Sequence, residues 1–159
     1  MDADRAAVYA AELSAFDGTD LELVVGLERL SALADELTAG EWWPGPDVVV
    51  RPARSDARNS STRCAAPGAT IRLASGQATV ATAAHELAHA LVGVGAGHDG
   101  RFRAAYLDVV AVVTNLDPTD RRGALHVDQL RIAFAADGLD VASREWPAPP
   151  STIAGPIAL

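Results

Sequence analysis

His85, Glu86 and His89 stand in the order His-Glu-Leu-Ala-His. On a helix, residues i and i+4 share a face one turn apart, so the two imidazoles can aim at one point. Glu86 lies about 100° round the helix from His85, beside that point rather than on it. Two neutral imidazoles can hold a divalent metal ion. A carboxylate next to it can take a proton from a water that such an ion activates. The chemistry implied is zinc-dependent hydrolysis, with His85 and His89 as metal ligands and Glu86 as the catalytic base. The competing reading is a core helix carrying two incidental histidines. It would bury two His and a Glu without a metal, which is costly to satisfy.

A catalytic zinc site usually takes three protein ligands and keeps one position open. No glutamate occurs between Glu86 and Glu145, which argues against a Glu ligand on the next helix. The long HExxHxxGxxH pattern needs Gly and His where this chain has Val92 and Gly95. His98 is the best remaining candidate, because the glycine-rich stretch 93–97 can end the helix and turn the chain back toward the metal. Asp99, Asp108 and His126 are weaker alternatives. Tyr106 falls two turns beyond His98 if one helix carries both. Its phenol is a candidate donor to a tetrahedral intermediate, or else a core tyrosine with its hydroxyl satisfied. Asp108 reads either as a carboxylate orienting a ligand imidazole or as a surface charge.

The run HELAH, seven further residues and GHDGRFRAAYLDVV resembles the SprT-like zincins, in which HExxH is followed by a histidine in a GHGxxF-type segment. The resemblance is nearer to a family of small HExxH metallohydrolases of high-GC bacteria, whose first helix reads like Val8-Tyr9-Ala10-Ala11-Glu12. The match covers residues 79–110, and Asp99-Gly100 departs from the Gly-Pro common at that place. The resemblance implies His85, His89 and His98 as ligands and Glu86 as base. It also implies that the strand before the metal helix is a sheet edge that pairs with an extended peptide substrate.

The elements that must position these residues can be read from periodicity. Residues 4–16 read as a helix with Ala6, Val8, Tyr9, Leu13 and Phe16 on its apolar face. Residues 21–38 read as a second, with Leu23, Leu27, Leu30, Leu33, Ala34 and Leu37 at helical spacing. Trp42 and Trp43 open a turn and are expected to pack under the sheet. Residues 47–51 form a strand, and two more flank Pro67-Gly68 as a hairpin. The metal helix follows, then a helix over 101–115 and another over 125–136, where His126 is expected at the surface. A turn is expected at 116–120 and a short strand over 139–142. Arg51, Arg54, Arg58 and Arg63 form either a solvated loop or a basic patch for an acidic substrate. The expected architecture is a single α+β zincin-like domain over 1–145. A small, mostly antiparallel sheet packs with the HExxH helix and further helices, and a Pro-rich tail occupies 146–159.

Composition narrows the function. The 159 residues carry 13 basic and 21 acidic side chains, for a formal net charge of −8. That balance argues against nucleic acid as the main partner. One cysteine, Cys64, cannot form an internal disulfide, and the start of the chain lacks an apolar signal core. No uncharged run is long enough for a membrane span. The expectation is a cytoplasmic zinc metallopeptidase acting on a peptide or protein. The alternatives are a non-catalytic zinc-binding structural or interaction domain, and a hydrolase of non-peptide amides on the same scaffold.

Overall fold

The computed structural model describes residues 2–114 and 122–150. Five helices are present among them: α1 (Arg5–Phe16), α2 (Leu27–Ala39), α3 (Val80–Val92), α4 (Gly100–Thr114) and α5 (Arg122–Ala136). Three strands, β1 (Asp47–Pro52), β2 (Ser61–Ala65) and β3 (Gly68–Leu73), form one sheet in the order β1-β3-β2. β2 and β3 make the expected antiparallel hairpin, and β1 lies parallel to β3. The domain is therefore α+β, with one antiparallel and one parallel pairing. Alternation does the positioning: Val48, Ala69, Ile71 and Leu73 turn inward, and the residues between them face outward or lie part-buried.

β3, the strand that precedes the metal helix, is central and paired on both sides. The expectation that it forms a free edge is therefore corrected. The edge beside α3 is β2, which packs against that helix.

Two helix boundaries differ from the periodicity. The second helix begins at Leu27 rather than 21. Val24 forms a bridge with Thr79, and the Val25 amide donates to the Ala78 carbonyl at 2.9 Å, so this stretch is extended. Gly26, at φ +92°, then makes a turn that a side chain would resist. Leu23 consequently stays exposed. In α1 the buried face is Val8, Ala11, Ala15 and Phe16, whereas Leu13 is exposed and Tyr9 only part-covered.

Residues 139–142 form no strand. The Ala142 amide donates to the Gly100 carbonyl at 3.1 Å, and Arg103 Nε donates to the Asp140 carbonyl at 2.7 Å. The segment is thus tied to the first turn of α4. It continues to Trp146 and Pro147, whose carbonyl accepts from Trp42 Nε1 at 2.9 Å. Trp42 is buried and stands edge-on to Trp43. The turn expected at 116–120 and the tail beyond residue 150 lie outside the described residues.

α3 is the most buried helix of the site. Its five alanines favour helix strongly and add little bulk, so neighbours approach closely. Thr79 caps its start by accepting from the Thr82 amide at 3.1 Å. Gly93, at φ +86°, stops it one turn past His89.

Candidate metal centre

Three elements bring the ligands together. α3 carries His85 and His89 on one buried face. A short turn at Val94–Ala96 and Gly97 at φ +58° then reverse the chain, delivering His98 ahead of α4. Asp99 Oδ1 caps α4, accepting from the amides of Arg101 at 2.9 Å and Phe102 at 3.1 Å. Asp99 is thereby engaged as a cap, and α4 starts at Gly100 despite the Asp-Gly pair.

One ring nitrogen from each of His85, His89 and His98 lies within 4.8 Å of the others, and all three residues are buried. Nε2 of His85 and Nε2 of His98 are 3.1 Å apart. Their opposite nitrogens are held by carboxylates: His85 Nδ1 pairs with Glu12, and His98 Nδ1 with Asp2 at 2.5 Å. With Nδ1 donating to a carboxylate, each neutral ring presents an Nε2 lone pair to the other, an arrangement that calls for a cation between them. Two nitrogens on one tetrahedral zinc lie roughly 3.3 Å apart, given bonds of about 2.0–2.1 Å. The donor set therefore fits a metal ion. Phe102 closes the interior side, its ring centroid 4.3 to 4.9 Å from all three imidazoles. Tyr9 stacks on His85 at 5.4 Å with an interplanar angle of 4°.

The electrostatics divide the histidines. Burial, with the charges of His85 and His98 adding to it, drives the His89 pKa down to about 3. Its Nδ1 is buried with no hydrogen-bond partner. Burial also lowers His98, against the opposing hydrogen bond from Asp2. For His85, burial pushes down, but the Glu12 charge and hydrogen bond, helped by Glu86, outweigh it and the value is raised. Burial raises Glu86 too, against the pull of His85 and Thr62. A buried carboxylate with a raised pKa beside a metal-ligand cluster is suited to a role in proton exchange.

The Glu86 carboxylate is tied to the sheet. Its Oε2 accepts from Thr62 Oγ1 of the edge strand β2 at 2.6 Å. Glu86 and His85 both line a cleft of about 490 Å³. Arg5, Tyr9 and Leu13 of α1 form one wall; Asn59, Ser60, Gln77 and Thr79 contribute to the other.

The remaining expected residues are placed as follows. Tyr106 stands edge-on to His85, 5.5 Å between ring centroids; it is buried and lines the same cleft as His85 and Glu86. Its hydroxyl donates to the Ala81 carbonyl at 3.2 Å. Burial first, then the Glu12 carboxylate, raises its pKa well above the ordinary value. Asp108 is buried but turned from the cluster, and takes two bonds from Arg144 at 2.8 Å each and one from Trp146 Nε1 at 2.9 Å. It orients no ligand imidazole. His126, expected at the surface, is buried under Phe16 and pairs with Asp20 at 3.3 Å. Of the arginines at 51–63, Arg54 is exposed and paired with Asp56.

Glu12, Asp2 and Thr62 are site residues that the sequence reading missed. For Glu12 a signal existed: it is an acid on the face that also carries Val8, Ala15 and Phe16, and an acid on a buried face needs a partner. For Asp2 and Thr62 no periodicity points to the site. No protein-family model, curated protein or solved structure matches the chain. The geometry alone defines a zincin-like HExxH cluster of three histidines, on an α+β domain, able to hold a metal ion.

Proposed function

We propose that this protein is a zinc-dependent metallopeptidase, with zinc held by His85, His89 and His98. The convergence of three buried imidazoles, with the Glu86 carboxylate on the same helix facing an open cleft, carries the reading. A zinc ion bound there would polarise a scissile carbonyl and make water a better nucleophile at neutral pH. Glu86 takes the proton of the attacking water and passes it to the leaving amine. Thr62 keeps that carboxylate in one orientation, since its hydroxyl lies 2.6 Å from Oε2. The cleft of about 490 Å³ between α1 and the segments at 59–60 and 76–82 gives a substrate a place beside Glu86. Tyr106, hydrogen-bonded to Ala81 and lining the cleft with His85 and Glu86, packs the ligand His85 and stays the candidate donor to the tetrahedral intermediate.

The spacing of the third histidine supports kinship with SprT-like zincins, and the acidic net charge favours a peptide over a nucleic-acid-bound substrate. No helix among the described residues is long and apolar enough to cross a membrane; a cytoplasmic setting is part of the proposal. The test is metal content by mass spectrometry together with peptide-library cleavage. Wild type should hold about one zinc per chain, and His98→Ala should lose it or bind it far more weakly. Glu86→Gln should keep the metal and lose nearly all turnover. Metal retained with no cleavage by wild type would instead mark a structural zinc domain.

A further inference from the structure

The segment ahead of α1 reaches the third histidine at three points. Asp2 Oδ2 lies 2.5 Å from His98 Nδ1, and Asp2 Oδ1 accepts from the His98 amide at 3.3 Å. Two residues on, Asp4 Oδ2 binds Arg103 Nη1 at 2.8 Å, and that same nitrogen donates to the His98 carbonyl at 2.7 Å. The backbone of the turn is shaped to admit this contact. A Cβ on Gly97 would lie 3.1 Å from the Asp2 carboxylate, and Gly97 sits at φ +58°. His98 stands on a loop rather than on a helix, and no neighbouring turn fixes its ring as the frame of α3 fixes His85 and His89. Ring, amide and carbonyl of His98 are all tied to residues 2–4, directly or through Arg103.

From these contacts we infer that Asp2 is a positioning residue for the metal site: it holds His98 with Nδ1 protonated and Nε2 free to ligate. The inference rests on the metal-site reading above. A carboxylate on the far nitrogen of a ligand imidazole fixes its tautomer and orientation and raises its basicity; losing such a partner typically weakens metal affinity by about 10–100-fold. The consequence is unusual in its location. The third ligand depends on a residue 96 positions away in the chain, in a lead-in to α1 that is otherwise a part-exposed surface segment.

The test is zinc affinity, read by competition with a chromophoric chelator, for wild type, Asp2→Asn and Asp2→Ala. Asp2→Ala removes charge and acceptor and should weaken binding by about 10–100-fold, with Asp2→Asn in between. Loss of these hydrogen bonds should lower the melting temperature of the chelator-stripped protein only slightly in both, whereas a merely structural role would leave zinc affinity unchanged. Cobalt-substituted wild type and Asp2→Ala should also differ in their visible absorption bands, as the ligand field changes. Equal zinc affinity across the three proteins overturns the assignment of Asp2 and leaves the three-histidine site standing. Wild type that binds no zinc overturns both.

Discussion

Nε2 of His85 faces Nε2 of His98 at 3.1 Å, while the far nitrogen of each ring is bound to a carboxylate from the start of the chain. Two lone pairs at that distance repel unless a cation lies between them. In protein stripped of metal the cation is a proton: the His85 value is raised, since Glu12 and Glu86 together outweigh burial, and a protonated His85 Nε2 can donate to His98. Zinc and that proton then compete for the same place.

Zinc uptake should therefore release more than half a proton per chain at pH 6.5, with apparent affinity falling as pH falls. The sign follows from the stripped protein binding a proton that the loaded one cannot. Potentiometric titration of stripped protein with zinc measures it. Glu12→Gln, which removes the main influence raising His85, should release less. Proton release that is the same in both proteins would count against this competition.

The stability of the stripped protein carries a second pH signature. His89 is lowered to about 3 and His98 is lowered as well, so over the window from pH 6.5 down to 5 the unfolded chain binds protons that the folded one does not. Stability must fall as pH falls there, at up to about 1.4 kcal/mol per pH unit for each histidine. His85 works in the opposite sense, but below 6.5 it is protonated in both states, so its contribution is constant; it is lost only as pH rises through the folded value. Urea denaturation of stripped wild type and His89→Gln between pH 5 and 7.5 separates these. The variant should show a slope shallower by about 1 kcal/mol per pH unit.

Much of this centre was legible because its spacing is helical. His85, Glu86 and His89 need only one turn of α3, and the glycines at 93, 95 and 97 announce the reversal that delivers His98. What escaped was long-range. Glu12 and Asp2 meet the histidines across 73 and 96 positions, through packing that no local period encodes. Asp108 shows the converse error. It sits two turns or more along the right helix, yet α4 turns it toward the segment at 144–146 rather than toward the metal. The start of α2 was misjudged because leucine spacing persisted through Leu23, while Val24, Val25 and Gly26 favoured an extended stretch and a turn.

Tyr106→Phe removes only a hydroxyl that is fully buried and bonded to the Ala81 carbonyl. The cost should be about 1 kcal/mol of stability, the net worth of one hydrogen bond. If its part is only to pack His85, cleavage of a peptide substrate should change less than tenfold. A loss of turnover of 100-fold or more, at unchanged zinc content, would mark Tyr106 as a donor to the tetrahedral intermediate.

Asp108 offers the sharpest contrast with Asp2, because both are carboxylates with short hydrogen bonds and only one touches a ligand. Asp108 is buried and receives Arg144 through both oxygens, with Trp146 Nε1 on the second. Those bonds strap the segment at 139–147 across α4, whose first turn carries Phe102 and Arg103. Asp108→Asn keeps the shape but loses the charge that Arg144 pairs with; Arg144 is half-exposed and can return to water, so the cost stays below that of a fully buried broken pair. A loss of about 1–3 kcal/mol is expected on denaturant unfolding. Zinc affinity should stay within twofold of wild type, measured by the same chelator competition that reads Asp2. A 10-fold or greater fall in zinc affinity for Asp108→Asn would mean that the strap, and not only the segment ahead of α1, sets the geometry of His98.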